Sequence, residues 1–171
     1  MKFDKIVIEG PNNVGKSSLI EELRKYLNWE VEHVSSSCPN DFRFYDDLLS
    51  CDEPLIFGRL HLGEMVYPEI YNRKNNLSEN EFDELCEKHC EHTLIVVLDA
   101  DFEFIIMANV LKGEYFNYNE VWQEKKGFYD IYKFCKCTFP NCIRLKNHLG
   151  KENTIKLCKK ILEAIGFDTV N

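Results

Sequence analysis

Apolar residues along this chain follow two alternating rhythms. Short continuous runs, Ile6-Val7-Ile8, Leu55-Ile56-Phe57 and Leu94-Ile95-Val96-Val97-Leu98, read as strands. The last is β-branched and long enough to be a central parallel strand buried on both faces. Glu30–Val34 and Cys142–Leu145 add two shorter candidates. Between these runs, apolar positions recur three and four residues apart. That spacing predicts helices over about 16–28 (Leu19, Ile20, Leu23, Leu27) and 41–50 (Phe42, Tyr45, Leu48, Leu49). Asp41 is a candidate N-cap for the second helix. A helix over about 60–71 is expected to be interrupted or bent at Pro68. Ser78-Glu79-Asn80-Glu81 is a capping box that starts a helix running through His89. Further helices are expected over about 101–111, 119–135 and 151–165, the last stopped by Gly166.

Strands that alternate with helices predict an α/β protein whose parallel sheet is covered on both sides. No repeat or linker interrupts the pattern, so residues 1–171 read as one domain. In such folds the site lies beyond the carboxyl ends of the strands. Glu9, Ser35, Arg59 and Asp99 stand at those ends and should converge.

The segment Gly10-Pro11-Asn12-Asn13-Val14-Gly15-Lys16-Ser17 separates the first strand from the first helix. Strand, glycine loop, Lys-Ser and helix together form the phosphate-binding P-loop pattern in its required context. Backbone N–H groups of Asn12 to Ser18 would cradle phosphate oxygens, helped by the positive end of the helix dipole. Lys16 would reach the outer phosphates, and the Ser17 hydroxyl would ligate Mg²⁺.

Charge and cysteine content narrow the partners. The net charge is −8, which argues against bulk binding to a nucleic-acid backbone. Only five arginines exist (Arg24, Arg43, Arg59, Arg73, Arg144), and any bidentate phosphate clamp must come from them. No apolar run approaches the roughly 20 residues that span a membrane. The chain passes from Met1-Lys2-Phe3-Asp4 straight into a strand, so a cytoplasmic protein is expected. Its eight cysteines then read as reduced and mostly buried. Cys86, His89 and Cys90 share a helix face, but no paired Cys-x-x-Cys accompanies them, which disfavours zinc.

The loop also resembles that of small GTPases, but no Asn-Lys-x-Asp segment follows Leu98 or Leu145. Ile8-Glu9-Gly10 through Ser18 is instead similar to the opening of thymidylate kinases and deoxynucleoside kinases. Phe57-Gly58-Arg59-Leu60-His61-Leu62-Gly63-Glu64-Met65-Val66-Tyr67 resembles the Asp-Arg-Tyr…Ala-Tyr stretch of thymidylate kinases, in the version found in phages and other viruses. The resemblance covers about residues 5 to 135. It implies a three-layer P-loop kinase fold with a five-stranded parallel sheet and a short lid near 108–119. It also implies ATP and Mg²⁺ as cofactors and a homodimer through the helix after Arg59. Two positions depart from the family. Its Asp before the arginine is Gly58 here, so the metal must lean on Ser17, the phosphates and Asp99 or Glu64. Its lid arginines are absent, and Lys112 is the lid's cation.

The acceptor separates two readings. A deoxynucleoside monophosphate presents an oxygen already anionic and needs cations around it; this is the leading expectation. A hydroxyl, on a deoxynucleoside or on a hydroxymethylated pyrimidine in DNA, has a proton to lose and gains from a carboxylate. Lys16, Glu9 and Arg59 are the catalytic candidates, with Glu9 the base for a hydroxyl or a strut to the loop. Arg59, Tyr67, Phe42 and Arg43 are the candidates for holding the acceptor. Asp99 is either a metal ligand through water or an N-cap. A nucleotide-binding regulatory protein with little turnover is the alternative outside enzymes.

Overall fold

The computed structural model describes residues 2–138, 141–148 and 150–167. Five strands form one sheet: β1 (Lys5–Glu9), β2 (Glu30–Glu32), β3 (Leu55–Gly58), β4 (Thr93–Ala100) and β5 (Cys142–Asn147). All pairings are parallel and the order is β2-β3-β1-β4-β5. Seven helices connect and cover them: α1 (Lys16–Leu23), α2 (Phe42–Ser50), α3 (Tyr67–Ile70), α4 (Glu79–His89), α5 (Phe102–Lys112), α6 (Tyr118–Thr138) and α7 (Lys151–Ala164). The expected three-layer α/β architecture is the observed one.

Alternation along the strands builds two cores. Ile6, Ile8, Ile56, Leu94, Val96 and Leu98 face one side and pack with Leu19 and Leu23 of α1 and Ile161 and Leu162 of α7. Val7, Leu55, Phe57, Ile95 and Val97 face the other side with Tyr45 of α2, Leu85 of α4 and Phe128 of α6. Every residue of β1 is buried. That is why the central strands read as unbroken apolar runs rather than as alternating ones.

Two capping expectations hold, and a third does not: the residue at the N-cap of α5 is Asp101, while Asp99 lies within β4. The Asp41 side chain accepts from the Phe44 amide at 2.9 Å. Ser78 and Glu81 exchange the reciprocal bonds of a capping box. Two helices differ from expectation. The first stops at Leu23, because the chain tightens to i+3 bonds from Lys25 to Glu22 and from Tyr26 to Leu23. The stretch 60–71 is interrupted rather than bent, with the break at Val66, ahead of Pro68. It is a 3₁₀ turn, His61–Met65, followed by α3 with Pro68 in its first turn, where a missing N–H costs nothing.

Cys86, Cys135, Cys142 and Cys158 are buried, and all the described cysteines are free. His89, expected beside Cys86 and Cys90, hydrogen-bonds Asp46 at 2.8 Å instead. No group of three His, Cys, Asp or Glu among the described residues is placed to hold a metal ion. No helix among them is long and apolar enough to cross a membrane.

Strand order places the site. β1 and β3 are neighbours, but the chain leaves β1 through α1 on one face and β3 through α3 and α4 on the other, which opens a crevice at their carboxyl ends. The loop 10–17 fills that crevice.

Candidate active site

The loop is shaped by positions that only small or left-handed residues can take. Gly10 has φ 144°, and a Cβ there would lie 2.1 Å from the Leu98 carbonyl oxygen on β4. Gly15 has φ 97°, and its Cβ would meet the Asn147 amide nitrogen at 2.4 Å. Asn13 takes φ 59°, a conformation that asparagine tolerates. Asn147, at the end of β5, donates to the Val14 carbonyl at 2.8 Å and holds the loop from behind. Gly15 N-caps α1 with no side-chain cap, leaving the first helical amides for a ligand. The Ser17 and Ser18 side chains stand exposed at the helix start.

Lys16 is buried and folded back over the loop. Its Nζ donates to the carbonyls of Gly10 (2.6 Å) and Pro11 (2.7 Å). Burial, and then the nearby Arg59, hold its pKa well below the ordinary lysine value. Phosphate oxygens would supply the anionic partners that this ammonium lacks.

Glu9 is fully buried. Its Oε1 accepts from the amides of Leu60 (2.6 Å) and Gly63 (3.2 Å), shaping the 3₁₀ turn. Its Oε2 has no hydrogen-bond partner among the described residues. Burial raises its pKa, opposed by the Leu60 hydrogen bond and by Lys16.

Arg59 ends β3 in a left-handed backbone conformation, φ 83°, held by its amide bond to Ile8 O. Such strain in a residue with a Cβ costs of order 1 kcal/mol and concentrates at functional sites. Its Nη2 donates to Asn12 Oδ1 at 2.6 Å, and its guanidinium lies 5.9 Å from the Tyr67 ring centre. Tyr67 in turn donates to Gly10 O at 3.1 Å and packs edge-on against Phe128. It therefore serves the core and the site at once.

Arg59 borders both halves of the site. On one side a cleft of about 320 Å³ is lined by Asn12, Ser35, Arg59, Glu64, Tyr67 and Arg73, among others. On the other a cleft of about 280 Å³ is lined by Lys16, Ser17, Ser18, Arg59, Phe104 and Lys112, among others. A further cleft of about 420 Å³ continues past Gly15 and Ser18 to His148 and Lys151. Glu9, Ser35 and Arg59 converge around the loop as expected.

The remaining candidates lie elsewhere. Arg43 is 90% exposed and paired with Asp47 at 3.9 Å. Phe42 packs against the second core. Neither lines the 320 Å³ cleft. The Asp99 carboxylate is taken up by Lys125 (2.7 Å) and Arg144. Burial opposes its charge, yet those two hydrogen bonds hold its pKa below the ordinary carboxylate value.

Several site residues carry no sequence signature. Glu124 of α6 is buried; its Oε2 accepts from the Asn12 amide (2.6 Å), and its Oε1 accepts from Asn12 Nδ2 (2.7 Å) and the Tyr71 hydroxyl. Arg73, which the sequence marks only as one of five arginines, pairs with buried Glu64 (2.9 and 3.3 Å) at the cleft wall. The end of α5 and the turn after it pack onto Asn13, whose side chain bonds Asn109 (2.9 Å), Glu114 (2.8 Å) and Lys112 (2.5 Å).

No protein-family model and no curated protein sequence matches the chain. Solved structures do. The YorR protein from Bacillus subtilis, in complex with phosphorylated GDP, superposes with TM-score 0.81 at 18% identity, covering 95% of each chain. Deoxyadenosine kinase from M. mycoides, with bound dCTP, gives TM-score 0.65 at 18% identity over 94% of this chain and 99% of that one. A gluconokinase from Sinorhizobium meliloti 1021 gives 0.58 at 11% identity over 99% and 100%. These likenesses establish the P-loop kinase fold.

Proposed function

We propose that the protein transfers the terminal phosphoryl group of ATP to a deoxynucleoside monophosphate, as the resemblance to thymidylate kinases suggests. The observation that carries this reading is the position of Arg59. It borders both the cleft beside Lys16 and Ser17 and the cleft beside Tyr67 and Arg73. A guanidinium there can bridge donor and acceptor phosphates, and five fixed donors suit two anions better than an ammonium does. Phosphoryl transfer asks for such positioning and charge neutralisation rather than covalent help.

The donor side consists of the loop amides, Lys16, and Lys112 from the lid. The Ser17 hydroxyl and the nucleotide's own phosphates would hold Mg²⁺, which would supply neutralisation of developing charge. The residues present fit a metal that arrives with the nucleotide. Ser17 offers an exposed hydroxyl at the helix start, while no cluster of carboxylates competes for the ion among the described residues. The cleft toward His148 and Lys151 would take the donor base and ribose. Neighbours of the same fold solved with phosphorylated GDP and with dCTP support nucleotides as ligands.

An anionic acceptor oxygen agrees with the carboxylates beside the other cleft. Glu64 is held by both Arg73 nitrogens, and Glu9 Oε1 is committed to two backbone amides. One observation favours a hydroxyl acceptor: Glu9 Oε2 is free to accept a proton. Labelled ATP offered with monophosphates, nucleosides and hydroxymethylated DNA tests both. Label in a nucleoside diphosphate supports the first reading. Label on a nucleoside or on DNA supports the second. Bound ATP with no transfer to any acceptor supports a regulatory protein.

A further inference from the structure

Gly58 lies under a side chain from the neighbouring strand end. A Cβ built there would stand 2.5 Å from both Nδ1 and Cε1 of the His33 ring, and 2.8 Å from Ile20 Cδ1. Glycine at 58 is therefore the condition for His33 to sit where it does. The ring lines a cleft of about 190 Å³ together with Lys16, Ser17, Ser35 and Arg59, beside the phosphate loop.

One hydrogen bond settles the ring's chemistry. His33 Nδ1 lies 3.2 Å from the Gly58 carbonyl oxygen. A carbonyl only accepts, so Nδ1 carries the proton. In the neutral ring Nε2 is then an acceptor, with no protein partner among the described residues. A histidine whose tautomer is fixed through one nitrogen presents a defined lone pair at the other. The same cleft holds the Ser17 hydroxyl, and Asp99 is engaged by Lys125 and Arg144. The imidazole thus stands with Ser17 in this cleft with an acceptor nitrogen that no protein group among the described residues occupies, while the Ser35 hydroxyl beside it is engaged by Ser37.

We propose that His33 is a metal-positioning residue whose Nε2 accepts a hydrogen bond from a water of the Mg²⁺ ion that arrives with the nucleotide at Ser17. The inference rests on the reading of this loop as a site for ATP phosphates. Mg²⁺ keeps several of its waters when it binds through phosphates, so holding those waters is how a protein with few direct ligands orients the ion. A nitrogen lone pair suits that outer position, since Mg²⁺ itself prefers oxygen.

The test uses Mn²⁺ as a spectroscopic stand-in and a non-hydrolysable ATP analogue, so no turnover is needed. Analogue affinity is measured in EDTA, and Mn²⁺ affinity of the protein–analogue complex by the loss of the free-ion resonance signal. His33 is exposed, so its replacement leaves the core untouched. His33→Ala should keep the EDTA affinity and weaken Mn²⁺ binding about ten-fold, the usual effect of losing an outer-shell partner. His33→Asn, which keeps an acceptor oxygen, should lose less. Unchanged Mn²⁺ affinity in His33→Ala, an equal loss in EDTA, or an asparagine as poor as alanine would overturn the inference. Failure of the wild type to bind the analogue in either condition would overturn the ATP reading, and the inference with it.

Discussion

Asn12 Oδ1 accepts from Arg59 Nη2 at 2.6 Å, which joins the phosphate loop after β1 to the end of β3. The Asn12 amide and side chain are in turn held by Glu124. The loop, Arg59 and α6 are thereby linked through one residue. Replacing Arg59 should be costly. Arg59→Ala is expected to lower turnover by about 10²-fold or more, the scale for removing a donor aimed at transition-state charge. Arg59→Lys should recover only part of it, because an ammonium lacks the planar fork with which a guanidinium donates bidentately to an anion. Steady-state kinetics with the productive acceptor check both values.

Lys16→Ala should abolish nucleotide binding while leaving the fold intact, since Nζ bonds only loop carbonyls. Calorimetric titration with ATP measures this. Unchanged affinity would remove the loop from the account.

The depressed pKa of Lys16 has a pH consequence. Between its folded value, about 7, and its ordinary value of 10.5, the unfolded chain binds more protons at this residue than the folded one. Stability contributed here therefore rises with pH through that window and is lost as pH falls through the folded value. Bound phosphates favour the ammonium, so ATP binding near pH 8 should take up a proton. Titrations in two buffers of different ionisation enthalpy reveal it as a binding heat that changes with the buffer, and an identical heat in both would contradict it.

Glu9 separates the two acceptors. Glu9→Gln keeps an acceptor oxygen for the amides of Leu60 and Gly63, so transfer to a monophosphate should fall less than about ten-fold. Loss of a true general base costs roughly 10²–10⁴-fold. Glu9→Ala leaves two buried amides unpaired and should cost about 3 kcal/mol of stability by chemical denaturation. Because burial raises the folded pKa of Glu9, its contribution is greatest below the unfolded value near 4.5 and is lost as pH rises through the folded one. The Gln variant should therefore gain stability relative to wild type as pH increases.

Asp99→Asn should lower the melting temperature, by the equivalent of about 1 kcal/mol for a partly exposed ion-pair cluster. Its metal dependence should match that of the wild type. A selective loss of Mg²⁺ dependence would instead place Asp99 on the metal.

The fold was legible because its signals are local. The run 93–98 announces a doubly buried strand, and the Ser78-x-x-Glu81 box announces α4 before any tertiary contact is considered. The phosphate loop was legible for the same reason, since Gly10, Gly15, Lys16 and Ser17 lie within eight residues. The acceptor side was less so. Arg59 is marked by its place at a strand end, but Arg73 gains its meaning from Glu64. Glu124 meets Asn12 across 112 positions, and Asn147 meets Val14 across 133. Nothing in spacing or composition signals such pairs. Pro68 marks its break only approximately. A proline within an apolar period reads as a bend or interruption at that residue, while Glu9 draws the amides of Leu60 and Gly63 into a 3₁₀ turn and a new helix begins just before the proline.

The most direct test of the two-substrate site is transfer of label from γ-labelled ATP with Mg²⁺ to a panel of deoxynucleoside monophosphates, nucleosides and hydroxymethylated DNA. The account predicts label in a deoxynucleoside diphosphate, strongly reduced in Arg59→Ala. Transfer confined to nucleosides or DNA, or none at all with ATP still bound, would contradict it.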